Sequence, residues 1–384
     1  MTIGVDASRS ISKIKKTGVE KVSDELLGEI KKLRNKEIKG QEINFIFYTP
    51  EKIDWLPEQN QRILKWPFKF FWTQIRLAFE LILHPPQVVF FPVHALPLLL
   101  LFLHYSLRIT RYYRIIHDIA FKKQPRLYSF KQKLILNLDL WLAKKLCAKI
   151  FVPTQAVKND LLKYAKINSD KIIITPWGYK IRNYESGITR LTSPAGEANG
   201  GQLNYGEKKK QILYLGRVEE KKNINNLIKA FGIFHTTHPD YKLILAGKID
   251  EEFKKNHNSL FIIHNSIEFL GFISEEKKYE LLRESAALVL VSKEEGFGFP
   301  ILEAFDFSLP VLASDIPVLK EIGGDACLYA DPNSPLAIAD KLEKIITDEK
   351  LQTDLIIAGH ERLKNFDWPK TAEKILTEIC NSDL

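Results

Sequence analysis

Cysteine is scarce: Cys147, Cys327 and Cys380 are the only three in 384 residues. An odd number, so widely spaced, excludes a disulfide framework, and no Cys-x-x-Cys pair is present to hold zinc. A reducing cytoplasm is the simplest setting. Long apolar runs are also missing. The most apolar stretch, residues 88–103, is broken by Pro92, His94 and Pro97, whereas a spanning helix needs about 20 apolar residues. It is expected as a buried strand running into a buried helix. Asp6 and Arg9 stand where a signal peptide would carry its apolar core, so no secretion is expected. No repeat of about 20–50 residues appears, and no helix-turn-helix, zinc-finger or RNA-recognition signature.

What is present is the composition of a folded globule: 45% hydrophobic and 27% charged residues, with 19 Gly and 18 Pro. At about 100–200 residues per domain, the length suggests two domains, or one large one with additions. The net charge of +9 is unevenly spread. Residues 1–180 hold 31 Lys+Arg against 15 Asp+Glu, and the remainder 25 against 32, which is +16 against −7. A basic half of this kind suits a polyanion: nucleic acid, anionic lipid headgroups or a phosphorylated acceptor.

Short β-branched or aromatic runs alternate with amphipathic segments. Strands are expected at residues 44–48, 88–92, 113–116, 149–152 and 172–175, with helical periodicity at 134–146 and 156–164. The pattern stops between 184 and 210, where turn and linker residues prevail. It restarts with strands at 211–215, 242–246, 267–270, 287–291 and 311–313. This rhythm implies parallel sheets with helices on both faces. The expected organisation is a Rossmann-like domain at 1–182, a linker at 183–210, a second Rossmann-like domain at 211–366, and a helix at 367–384 that packs back on the first domain. Such folds bind ligands at the carboxyl ends of their strands, and two of them facing each other would form a deep cleft.

The motifs fall at those ends. Glu295-Gly296-Phe297-Gly298-Phe299-Pro300-Ile301-Leu302-Glu303 follows an apolar strand and opens a helix, with Pro300 suited to its first position. Glycines let backbone approach a ligand, and a helix N-terminus offers N–H donors to an anion such as a pyrophosphate. Glu295 and Glu303 would flank it, each reaching hydroxyls on its own side. That is the layout of a nucleotide sugar. Leu215-Gly216-Arg217-Val218-Glu219-Glu220-Lys221-Lys222-Asn223 follows another strand. It offers Arg217 as a rigid fork and Lys222 as a mobile charge, both toward one diphosphate.

These residues, with Leu245-Ala246-Gly247, Phe269-Leu270-Gly271-Phe272, Leu309-Pro310-Val311-Leu312-Ala313-Ser314 and the run from Asp315 to Pro332, resemble the retaining glycosyltransferases of family 4, the group 1 glycosyltransferases. In the first half Asp6-Ala7-Ser8-Arg9, Thr17-Gly18-Val19, Ile115-Ile116-His117-Asp118 and the segment from Val152 to Leu161 are similar more loosely. Two departures stand out: Trp177 occupies the middle of the usual Pro-Asn-Gly, and Asn223 replaces a frequent Gly after Lys222. The resemblance implies the GT-B fold, two doubly wound domains facing a cleft. It further implies that Glu295, with the N–H groups of Gly296, Phe297, Gly298 and Phe299, holds the donor sugar. Glu303 would hold the ribose, Arg217 and Lys222 the diphosphate, and the strand ends at Gly247, Gly271 and Phe272 the nucleotide. Gly18 would approach the phosphates, and His117 the donor sugar or the acceptor.

No Asp-x-Asp pair is present to carry a divalent ion, so metal-independent catalysis with retention is expected and no cofactor beyond the donor, GDP-mannose or a UDP-sugar. Phosphorylase or epimerase chemistry on the same fold is the alternative within enzymes; outside them, it is a basic nucleic-acid-binding protein. The aromatic and basic segment from Trp66 to Trp72 reads as an interfacial, lipid-facing helix or as partly core. Trp72, Gln74 and His94 are acceptor-pocket candidates. The acceptor expected is a glycan or lipid-linked sugar of cell-surface polysaccharide or glycolipid synthesis. The setting would be cytoplasmic, peripheral on the inner face of an anionic membrane, with no nucleic acid bound.

Overall fold

The structure is a computed structural model describing residues 1–11, 18–33, 42–68, 71–93, 96–101, 110–182, 208–257 and 266–381. It divides into two units, Met1–Gly178 with Phe366–Leu384, and Tyr179–Asn365.

The first unit contains β1 (Thr2–Asp6), β2 (Asn44–Thr49), β3 (Gln61–Ile63), β4 (Val88–Phe91), β5 (Arg111–Ile115), β6 (Cys147–Val152) and β7 (Ile172–Ile174). They pair in the order β3-β2-β1-β4-β5-β6-β7, every pair parallel. Its helices are α1 (Gly18–Lys32), α2 (Ala78–Leu83), α3 (Ala120–Lys123), α4 (Phe130–Leu146) and α5 (Gln155–Asp160). β1 and β4 are buried along nearly their whole length, as a parallel sheet covered on both faces requires. α4 starts four residues before the periodicity indicated because Ser129 and Gln132 form a reciprocal capping box there.

The second unit contains β8 (Gln211–Leu215), β9 (Lys242–Ala246), β10 (Ile267–Gly271), β11 (Ala287–Leu290), β12 (Val311–Ser314) and β13 (Leu328–Ala330), ordered β10-β9-β8-β11-β12-β13 and again all parallel. Around them lie α6 (Ile224–His235), α7 (Glu251–Asn256), α8 (Glu275–Glu284), α9 (Phe299–Asp306), α10 (Pro317–Gly323), α11 (Pro335–Thr347) and α12 (Glu349–Leu363). The final helix, α13 (Trp368–Asn381), belongs to the first unit and packs on α1. Gly178 is pressed against it: a Cβ there would sit 2.2 Å from the Trp368 backbone nitrogen. The Thr371 hydroxyl donates to the Pro176 carbonyl nearby.

Four local expectations need correction. β3 and β13 are three-residue edge strands that the sequence reading did not include, whereas the equally short β7 is marked by a run of three isoleucines. In the segment from Trp66 to Trp72, residues 66–68 and 71 are not helical. Residues 69–70 lie outside the described residues, Phe68 and Phe71 are exposed, and a six-residue π-helical turn starts only at Trp72. Trp72 itself is buried, its indole N–H donating to the Leu64 carbonyl at 2.8 Å, so it is a core residue and no wall of an open pocket. Pro300 takes the second helical position, because Gly298 caps α9 and Phe299 comes first.

Asn223 explains one departure from the family pattern. It sits at φ 62°, a left-handed conformation that favours glycine and that asparagine also tolerates. Its buried amide donates to the carbonyls of Val291 and Pro332 at 2.9 and 2.7 Å, tying the loop after β8 to the ends of β11 and β13. Asn223→Ala is therefore expected to cost about 2–4 kcal/mol, from the left-handed penalty plus a stranded carbonyl. Asn223→Gly, which relieves φ but not the bonds, should cost about half of that. Urea unfolding midpoints check the order; equal losses would refute the conformational part.

Candidate functional site

Doubly wound sheets bind ligands where the strand order reverses, at the carboxyl ends. In the second unit the reversal falls between β8 and β11. Gly216 and Arg217 follow β8, and Ser292 to Gly298 follow β11. Both sequence motifs therefore arrive at one place for a topological reason.

The rim of that place is backbone. Gly216 and Gly247 both have φ 152°, and a Cβ on Gly247 would lie 1.8 Å from the Gly216 carbonyl oxygen. The Gly247 N–H donates to the Gly271 carbonyl at 2.7 Å, and Gly271 has φ 65°. Three neighbouring strand ends are thus closed by glycines in contact, leaving a surface without side chains. Phe272, half exposed, borders it.

Two carboxylate–lysine pairs stand beside the rim. Glu295 Oε1 accepts from Lys222 Nζ at 2.6 Å and from Ser292 Oγ at 2.8 Å, with only 11% and 16% of the Glu295 and Lys222 side chains exposed. Ser292 is held in turn through its carbonyl, which accepts from Ser314 Oγ. Glu303, on α9, accepts from Lys278 Nζ of α8 at 2.6 Å. Burial pushes the Lys278 ammonium down, but the Glu303 and Glu275 carboxylates outweigh it, and the net direction is up. Between the glutamates, α9 starts at Gly298, φ 108°, with no side-chain cap. Phe297 is buried and its ring packs on the partly buried Phe299, and Gly296 is half buried.

Arg217 and Lys222 do not converge in this structure. The Arg217 guanidinium, half exposed, lies 3.4 Å from Glu219 and 3.5 Å from Asp250, while Lys222 is engaged by Glu295. Lys278 and Ser292 were not singled out from the sequence, and Asn223 stood out there as a departure without an assigned role. Only the position of Asn223, where a glycine is frequent, carried a signal.

In the first unit, His117 follows β5 and its ring lies 4.9 Å from that of Trp177. Both departures noted in the sequence thus have structural partners, because Trp177 fills the space beside this histidine. Neither His117 ring nitrogen makes a well-aligned hydrogen bond among the described residues, although the Pro92 carbonyl is near enough to favour the charged form. Burial dominates and lowers the imidazole to about 4. It is neutral at pH 7, able to donate or accept at a sugar hydroxyl. The folded state then binds fewer protons than the unfolded one between about pH 4 and pH 6.5, so His117 withdraws stability as pH falls through that window. His117→Gln should flatten the acid limb of thermal stability below pH 6.5; an unchanged limb would contradict the buried neutral assignment.

Gly18 opens α1 with nothing within 4 Å of a would-be Cβ. Gln74 is committed to its own unit: its amide nitrogen donates to the Leu96 carbonyl and its oxygen accepts from the Leu98 N–H. His94 lies outside the described residues.

Paired carboxylates, lysines and an uncapped helix start thus stand together at one glycine rim. Residues 197–362 match the family described as "Glycosyl transferases group 1". An O-antigen chain mannosyltransferase B of Escherichia coli is 32% identical over 177 residues, 44% of each chain. The O-antigen chain mannosyltransferase RfbU of Salmonella typhimurium is 26% identical over 234 residues, 60% of each. The chain thus spans about half the length of the curated relatives it matches. Among solved structures, Anabaena HepE in complex with UDP and glucose covers the whole of both chains with TM-score 0.68 at 18% identity. WaaG, a glycosyltransferase involved in lipopolysaccharide biosynthesis, gives 0.66 at 16%, over 98% of this chain and 100% of its own. The fold class is therefore that of the GT-B glycosyltransferases, two parallel sheets with helices.

Proposed function

We propose that the protein is a retaining glycosyltransferase that moves a hexosyl group, mannosyl first among the candidates, from a nucleotide sugar to a glycan or lipid-linked acceptor. The observation that carries this reading is the Lys222–Glu295 contact at the strand reversal. In a nucleotide sugar the distal phosphate is bonded directly to the anomeric carbon, so a cation for that phosphate and a carboxylate for the sugar hydroxyls must be neighbours. Glu303, one helical turn inside α9, would take the ribose, with Lys278 holding it in place. The mannosyltransferase relatives favour GDP-mannose; the UDP complex of the structural neighbour keeps UDP-sugars open.

Transfer breaks the bond between the anomeric carbon and the phosphate oxygen, whose electron pair stays on the departing diphosphate. The acceptor oxygen attacks the same face and passes its proton to that phosphate oxygen. Lys222, Arg217 and the start of α9 supply positive potential where negative charge builds, and we propose that no metal is needed. The synthesis served would be of cell-surface polysaccharide or glycolipid, on the cytoplasmic side of a membrane.

A panel of nucleotide sugars tested with and without EDTA checks this. Hydrolysis or transfer from one donor, unaffected by EDTA and giving the same anomer by proton NMR, is expected. Loss of activity in EDTA would remove the metal-independent mechanism, and an inverted product the retaining one. Release of free sugar phosphate in inorganic phosphate would favour a phosphorylase.

A further inference from the structure

The helices that connect rightward strands in the first unit, α2, α4 and α5, belong on one face of the sheet, because parallel crossovers are right-handed. Their inner residues confirm it: Leu81, Leu140, Ala143 and Val157 share one core cluster with Val89 and Tyr112 of the sheet. The outer face of this helical layer is unusual. α4 shows Phe130, Leu134, Leu138 and Trp141 to solvent, a single stripe at i, i+4, i+8 and i+11. Phe130 is 77% and Leu134 61% exposed. In the same layer, Phe79 and Leu83 of α2 are 52% and 68% exposed. α4 is therefore apolar on both sides, one in the core and one outside. Scattered surface leucines need no explanation, but an aligned stripe on two elements of one layer does.

The charge of the stretch of chain that carries the stripe is mainly of one sign. Residues 108–171 contain 15 Lys+Arg and 4 Asp+Glu. The single acid of α4, Asp139, is taken by a bidentate pair with Arg114 at 2.7 and 3.0 Å. Lys131, three residues before Leu134, and Lys145, four after Trp141, are exposed and lie along the stripe.

We propose that the outer face of α4, extended by α2, docks on a bilayer containing anionic lipid. Aromatic and aliphatic side chains would enter the headgroup boundary, with lysines at the phosphates. A second copy of the chain would bring like charges together, and nucleic acid would leave the apolar stripe in water. No described helix is long and apolar enough to cross a membrane, and the contact proposed is interfacial. It stands on observations separate from those of the transferase reading.

Sedimentation of the full chain with vesicles tests it. Binding is expected to phosphatidylcholine vesicles containing phosphatidylglycerol, to weaken with salt, and to be slight on pure phosphatidylcholine. The exposed triple variant Phe130→Ser/Leu134→Ser/Leu138→Ser should lose at least tenfold in binding while keeping its melting temperature and nucleotide-sugar response. A gentler variant, Lys131→Gln/Lys145→Gln, should lose about five-fold per lysine on the anionic vesicles only. Absence of wild-type binding at low salt, or binding unchanged in both variants, would overturn the proposal. So would light scattering showing a dimer that the triple variant dissociates. Failure of the donor panel with vesicle binding intact would count against the transferase reading alone.

Discussion

Lys222→Ala is expected to lower kcat by about 10²–10³-fold, the usual cost of one preorganised charge contact to a developing anion. The ammonium lies 2.6 Å from Glu295 and is largely buried, so water replaces it poorly. Its loss also leaves the Glu295 carboxylate with Ser292 as its remaining described side-chain donor. The two residues should therefore act as a unit: the double variant with Glu295→Ala should be little worse than the poorer single one. Lys222→Arg, which keeps the charge but not the reach, should recover part of the rate. Steady-state kinetics with a melting curve for each variant decide it. Full turnover in Lys222→Ala would remove the diphosphate assignment.

Gly247→Ala should be the most damaging small substitution in the second unit. The added methyl carbon would lie 1.8 Å from the Gly216 carbonyl oxygen and 2.5 Å from its carbon, both backbone atoms fixed by strand pairing, and φ is 152° besides. Nothing flexible can give way. A loss of about 4 kcal/mol is expected, the range reached when a special backbone position is filled, which lowers the melting temperature by about 8–16 °C for a unit of this size. Gly298→Ala meets the end of the Leu319 side chain at 2.9 Å, which can move, though φ of 108° adds strain, so its cost should be smaller. Gly18→Ala meets nothing and should leave stability unchanged or slightly raised. If the three alanines melted alike, close backbone contact would not be what holds the strand ends together.

Much of the second unit was legible because its chemistry sits in contiguous words. Glu295 and Glu303 are eight positions apart on one loop and helix, and Arg217 and Lys222 share one loop. What contiguity cannot reveal is who faces whom. The Lys222–Glu295 pair spans 73 residues and Lys278–Glu303 spans 25. A lysine in an Lys-Lys run on α8 looks like any solvated surface charge. Asn223 was visible as a departure from pattern, but its reason, a left-handed turn with two buried carbonyls to satisfy, needed coordinates.

The first unit was harder. The aromatic segment near Trp66 drew attention through composition alone, yet its Trp72 is core. The exposed stripe of Phe130, Leu134, Leu138 and Trp141 lies on α4, for which the sequence offered only helical periodicity at 134–146. In a helix with apolar residues on both sides, periodicity marks the helix but not which side is covered, and only exposure separates the two faces. The +9 of the whole chain likewise hid the concentration of cations between residues 108 and 171.

The most direct test of the site is calorimetric titration of the preferred nucleotide sugar, with EDTA present, into the wild type, Lys222→Ala, Glu303→Ala and, as a control away from the site, Lys131→Gln/Lys145→Gln. Donor binding in the wild type and the control, weakened at least tenfold in Lys222→Ala and Glu303→Ala, is the expected result. Equal affinity in all four proteins, or no binding of any donor to the wild type, would contradict a nucleotide-sugar site at the ends of β8 and β11.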